Sequence, residues 1–155
     1  MTEYTAVPTA EVRELQALAI VRADIGWSAG AGLLPVPGVD VAAIIGVQLK
    51  MLQSIAKIYE VPFTTNLVRP LVVALLSSGT AVMAGAVAAS LLKGLPVVGS
   101  LIGMLSLPAF ASASCWATGK VFIRHFESGG TFLDFDPAKA RAYYSEQFAA
   151  AKTAL

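Results

Sequence analysis

Apolar and polar residues alternate with a helical period along most of the chain, and nowhere with the two-residue period of a strand. Thr9, after Pro8, can cap a first helix, with Glu11 and Glu14 placed favourably in its opening turns. Val12, Leu15, Leu18, Ala19 and Ile25 then recur at helical spacing, which predicts a modestly amphipathic helix over 9–25. Glycine and proline crowd the stretch from Trp27 to Val39 and predict an irregular or re-entrant segment over 25–39. Asp40 can cap a second helix, predicted over 40–59. Its apolar face is Val41, Ile44, Ile45, Met51, Leu52, Ile55 and Tyr59, and Lys50, Gln53, Ser54 and Lys57 lie opposite. That pattern suits either an anionic membrane surface or a helix packed on protein with one solvated face.

The centre of the chain is different. Residues 70–92 hold no charge, and as a helix these 23 residues span about 35 Å. Lys93 and Gly94 interrupt, and 95–119 is again uncharged, with Pro108 near its middle as a kink. Two membrane spans, 70–92 and 95–119, are therefore expected. The earlier apolar stretch gains only about −3 to −6 kcal/mol on an insertion scale, and Asp40 returns about +3, so it is not counted as a third. Ser128, Gly129 and Gly130 predict a turn. Asp136 before Pro137 is a specific helix-start signal for an amphipathic tail over 137–155, with Ala140, Tyr144, Phe148, Ala151 and Leu155 on one stripe.

Composition agrees with lipid. The chain is 56% apolar and 14% charged, with a mean hydropathy of +0.70, against about 25% charged in an ordinary soluble domain. At 155 residues it reads as a single membrane domain, 1–155, of all-α class: a two-span helical hairpin with flanking amphipathic helices. A net charge of +1 offers no basic field for nucleic acid. The opening residues lack the basic and apolar regions of a secretory signal, so none is expected. Lysine and arginine flank the hairpin on both sides and only Lys93 lies between the spans. That bias predicts both termini in the cytoplasm of a bacterial inner membrane, with Trp27, Tyr59, Phe63, Trp116 and Phe122 at the interfaces.

Candidate chemistry is sparse. The single cysteine, Cys115, reads as a buried inert thiol, and the single histidine, His125, as a solvated surface residue. No phosphate-binding loop or nucleophile elbow occurs. Asp134 and Asp136 imitate a carboxylate pair, but Asp136 is better explained as a cap, and Asp40 likewise. No catalytic residue, metal site or cofactor is expected. Small residues carry more information: Ser77, Ala81, Gly85 and Ala89 fall every fourth position on the first span. Gly99 and Gly103, then Ala111, Cys115 and Gly119, do so on the second. Such faces let helices approach closely in lipid, within a chain and between copies.

Pro35, Pro37, Gly38 and Asp40, followed by Gln48, Met51 and Tyr59, form one distinctive block. Lys93, Gly94, Pro96 and Gly99 form another, continued by Thr118, Gly119, Lys120 and the run from Ile123 to Gly130. On these residues the chain resembles the GTPase-associated membrane domain family, domain of unknown function 697. The resemblance implies a membrane module that works with a Ras-like GTPase, leaves open whether it needs a separate one or acts alone, and brings no catalytic residues. The expected function is a non-enzymatic, self-associating scaffold in contact with membrane lipid. A pore lined by the serine-rich faces and a lipid-carrying helical protein are the alternatives.

Overall fold

The computed structural model describes the backbone of residues 9–31, 39–92 and 99–154. Side chains are described in 9–27, 42–79 and 108–151. These residues form five helices and, among them, no strand: α1 (Ala10–Ala31), α2 (Val39–Ile58), α3 (Thr65–Leu92), α4 (Gly99–Glu127) and α5 (Pro137–Ala154). The all-α expectation holds. The stop signals hold as well. The Val61 amide donates to the Ala56 carbonyl and Glu60 adopts a φ of 55°, so α2 ends in a Schellman turn. Gly129, with a φ of 86°, closes α4 in the same way, the Gly130 amide reaching the His125 carbonyl. Asp136 caps α5 through the Ala138 amide at 2.9 Å, and Thr9 reaches the Val12 amide at 3.5 Å.

Side-chain contacts fix the directions of the helices. Gln48 meets Ser114 and Thr118, Met51 meets Cys115, and Tyr59 meets Glu127, so α2 runs parallel to α4. Val21 lies against Gly119 and Arg13 over the Tyr59 ring, so α1 is antiparallel to both. Arg124 lies over Tyr143, and Phe110 packs on Phe148, so α5 is antiparallel to α4. Gly79 of α3 sits against Phe110, Tyr144 and Phe148.

Several expectations need correction. α1 continues to Ala31, so 26–31 is helical. Gly26 is exposed with open space around it, and one such glycine costs only about 1 kcal/mol in a helix. Residues 32–38 lie outside the described set. The inward face of α1 is not the one its apolar spacing suggests. Ala17, Val21 and Asp24 are buried, whereas Val12 and Leu15 are exposed, Leu15 to 61%. The reason is close packing: a Cβ built on Gly119 would come within contact-violating range of Val21, so α4 admits α1 only along its small residues. On α2, Ile44, Ile45, Met51, Leu52 and Ile55 are buried in the bundle, which excludes a membrane surface as their partner. Phe122 is also buried rather than interfacial. It stacks on Phe135 at 4.4 Å and meets Phe132 and Phe126 in an aromatic cluster at the end of α4.

The two expected spans, 70–92 and 95–119, are not confirmed. Among the described residues, no helix is long and apolar enough to cross a membrane. α3 begins at Thr65, before Pro70, and α4 continues to Glu127, beyond Lys120. Val68, Val72 and Leu75 on α3, and Ala111, Ala113 and Ala117 on α4, are fully buried in the bundle core. Hydropathy does not separate a core helix from a spanning one over that length.

The core also contains a polar seam. The Gln48 amide donates to Ser114 Oγ at 3.0 Å, and Ser114 donates onward to the Ala111 carbonyl. Thr118 donates to the Gln48 carbonyl oxygen at 2.9 Å, and all three side chains are buried. Nearby, Asp24 is only 9% exposed, and burial raises its carboxyl above the ordinary 3.8, an effect reduced by Lys50.

Gly119→Ala should destabilise the bundle by about 1–3 kcal/mol in chemical denaturation, because valine is too stiff to yield. Adding Val21→Ala should recover part of that loss. Gln48→Leu should cost about 1–3 kcal/mol by stranding Thr118, and the triple variant with Ser114→Ala and Thr118→Val should be closer to the parent. For Asp24 the folded carboxyl binds its proton more tightly than the unfolded one. Its favourable contribution is present below pH 3.8 and lost as pH rises through the raised folded value. Asp24→Asn should therefore melt above the parent at pH 7 and with it below pH 3.8.

Candidate functional site

The helix directions place four chain segments at one end of the bundle. The C-terminal part of α1, the N-terminal part of α2, Gly79 of α3 and Phe110 of α4 share a level. From that end issue the two least polar stretches of the sequence. Residues 28–41 carry one charge, Asp40, and 80–107 carry one, Lys93. Trp27, the last described side chain of α1, is 70% exposed there. The opposite end is polar and closed by specific contacts: Tyr59 donates to Glu127 at 2.5 Å, and Phe63 meets Phe132 edge-on. Burial and the adjoining Glu127 carboxylate raise the Tyr59 phenol well above its usual range.

The singled-out residues separate into four groups. Ala111, Cys115 and Gly119 lie buried on the face of α4 turned to α1 and α2, with Cys115 Sγ 3.5 Å from Met51 Sδ. Ser77 is exposed, its hydroxyl bonded to the Val73 carbonyl. Ala81, Gly85 and Ala89 continue the same helix, and Gly99 and Gly103 open α4, but their side-chain surroundings lie outside the described residues. So do those of Asp40, in the first turn of α2, while Pro35, Pro37 and Pro96 lie outside the described backbone. Gln48 is brought to Ser114 and Thr118, and Tyr59 to Glu127, pairings no spacing along the chain announces.

His125 is not the solvated residue expected. Its ring packs edge-on against Phe135 and over Gly130, where a Cβ would collide with it. Its Nε2 reaches the Thr131 carbonyl at 2.8 Å and Asp134 Oδ1 at 3.1 Å. Asp134 also accepts from the Thr131 amide at 2.6 Å, which, followed by His125, holds its carboxyl below the usual value. This is loop architecture: the two residues brace the 128–136 turn between α4 and α5. Among the described residues, no three of His, Cys, Asp and Glu are grouped to hold a metal ion.

Asp24 and Val21 were not singled out from sequence, since Val21 shares its spacing with other apolar residues of α1. Trp27, expected at an interface, is exposed.

No solved structure matches this chain. It is 37% identical over 147 residues to Magnetosome membrane protein 22 of Magnetospirillum gryphiswaldense, an alignment covering 93% of this chain and 75% of that protein. Neither that name nor the family description carries a catalytic activity. The model of the family described as Domain of unknown function (DUF697) matches residues 4–153, nearly the whole length, and the chain belongs to that family.

Proposed function

We propose that the protein is a non-enzymatic membrane adaptor that seats one end of its helical bundle in a single leaflet of a bacterial membrane. The observation that carries this reading is the departure of both nearly uncharged stretches, 28–41 and 80–107, from the same end of a bundle whose other end is polar. Membrane association is also what the name of the magnetosome relative suggests. Trp27, exposed at that end, is the residue type favoured at a membrane–water boundary.

Insertion depth follows from length. α3 continues from Gly79 to Leu92, and α4 begins at Gly99, ahead of Phe110, against which Gly79 packs. At 1.5 Å per residue those segments are about 20 Å and about 17 Å long, short of a hydrocarbon core about 30 Å thick. A full crossing by 70–92 and 95–119 as a hairpin stripped of the other helices requires Val72, Leu75, Ser114 and Thr118 to leave the core for lipid, breaking the bonds to Gln48. One-leaflet insertion keeps them. In this reading both termini and the whole bundle face the cytoplasm. Copies associate through the stripe of Ser77, Ala81, Gly85 and Ala89, and the polar end faces soluble partners, among them a separate GTPase.

Topology tests the proposal. In a Cys115→Ser background, cysteines placed at 93 and at 152 should both resist an impermeant thiol reagent applied outside intact spheroplasts. Position 152 should react once the membrane is opened, and the protein should leave the membrane with detergent but not with alkaline carbonate. Labelling of position 93 from outside would establish a two-span hairpin in place of this reading.

A further inference from the structure

At the end of the bundle remote from the apolar stretches, a cleft of about 440 Å³ opens between the last turns of α4 and the first turns of α5. Its volume lies within the range of small-molecule sites. Val121, Phe135 and Tyr143 supply apolar lining, and Arg124 and Lys139 supply positive charge. Arg124 is held in place, its guanidinium 4.3 Å from the centroid of the Tyr143 ring, which fixes the group while leaving N–H donors for a ligand.

Two acids share the cleft, and both are engaged in the fold. Asp134 accepts from the Thr131 amide, the Thr131 hydroxyl and His125, and Asp136 accepts from the Ala138 amide as the cap of α5. Among the described residues, no carboxylate lies within ion-pair distance of Arg124 or Lys139. The cleft thus combines committed anions, uncommitted cations and an aromatic wall.

We propose that this cleft binds an oxyanion, a phosphate or a carboxylate, carried on a small aromatic or apolar body from the aqueous phase. A lipid headgroup fits poorly. Arg124 stands 14 residues along α4 from Phe110, about 21 Å from the apolar end, whereas the headgroup layer is only about 5–8 Å deep. That last step rests on the membrane reading above; the cleft chemistry does not.

Calorimetric titration of the full chain in neutral detergent, with phenyl phosphate and benzoate as probes, tests the idea. Saturable binding of at least one probe is expected, with phenol, which lacks the oxyanion, not binding. Whichever anion binds more tightly identifies the oxyanion. Arg124→Ala and Lys139→Ala should each weaken binding roughly tenfold or more, the loss of a charge-assisted hydrogen bond. Arg124→Lys should fall between, and Arg22→Ala, an exposed cation on α1, should change nothing. No saturable binding, or equal losses in the Arg22 and Arg124 variants, overturns the proposal. So does a loss of binding to phosphatidylglycerol vesicles in the Arg124→Ala/Lys139→Ala variant, because the cleft would then be reading a lipid headgroup. Failure of the parent to bind those vesicles counts against the membrane reading alone.

Discussion

Gln48 places a primary amide, entirely removed from solvent, between two hydroxyls one turn apart on α4, and the register of the bundle follows from satisfying it. The amide has both a donor and an acceptor to place, and a buried polar atom left unpaired costs about 1–3 kcal/mol. Ser114 takes the first and Thr118 supplies the second. A shift of α2 along α4 by one residue would lose both bonds together. With the register fixed, Met51 meets Cys115 and Tyr59 meets Glu127 one and three turns further along. The seam therefore orders contacts along the whole parallel pair, where apolar packing of alanines alone would discriminate poorly between registers.

The second constraint is closeness. Around Ser114 and Thr118, α4 is built from Ala111, Ala113, Cys115, Ala117 and Gly119, all buried. Small residues permit short interhelical distances, and Val21 occupies the space that a side chain at position 119 would need. In lipid such a stripe favours association of spans. In this bundle the same stripe receives α1 and α2. Its consequence is that α4 has little side-chain volume on that face to offer to another copy of the chain.

The sequence made the helices legible because their ends carry local signals. Asp136 with Pro137, and Gly129 after α4, act within a few residues, and the structure uses them where they stand. The tail stripe of Tyr144, Phe148 and Ala151 was equally plain, since a polar helix with one apolar stripe can bury only that stripe. What was not legible was which apolar residues meet protein and which meet something else. α1 buries Val21 and leaves Leu15 exposed because of Gly119, nearly a hundred residues away. Phe122 looked interfacial next to Lys120 and Arg124, but the ring cluster that buries it comes from Phe126, Phe132 and Phe135. The cleft at Arg124 and Lys139 had no local signature either, since its two walls are joined only through the 128–136 turn.

The uncharged run at 70–92 does not by itself tell a core helix from a spanning one. A helix packed on a protein core along part of its length can have the same composition as one spanning a bilayer. The difference lies in polar residues too mild to register on a hydropathy scale. Ser114 and Thr118 cost little in a hydropathy sum, yet each is bonded to Gln48 of α2, and neither meets lipid directly without losing that bond. On the one-leaflet reading, the seam acts as a depth stop. On its polar side the bundle is tied together by Gln48, by Tyr59 with Glu127, and by the aromatic cluster. The bundle can then hold its polar end, and the cleft there, at a fixed height above the bilayer.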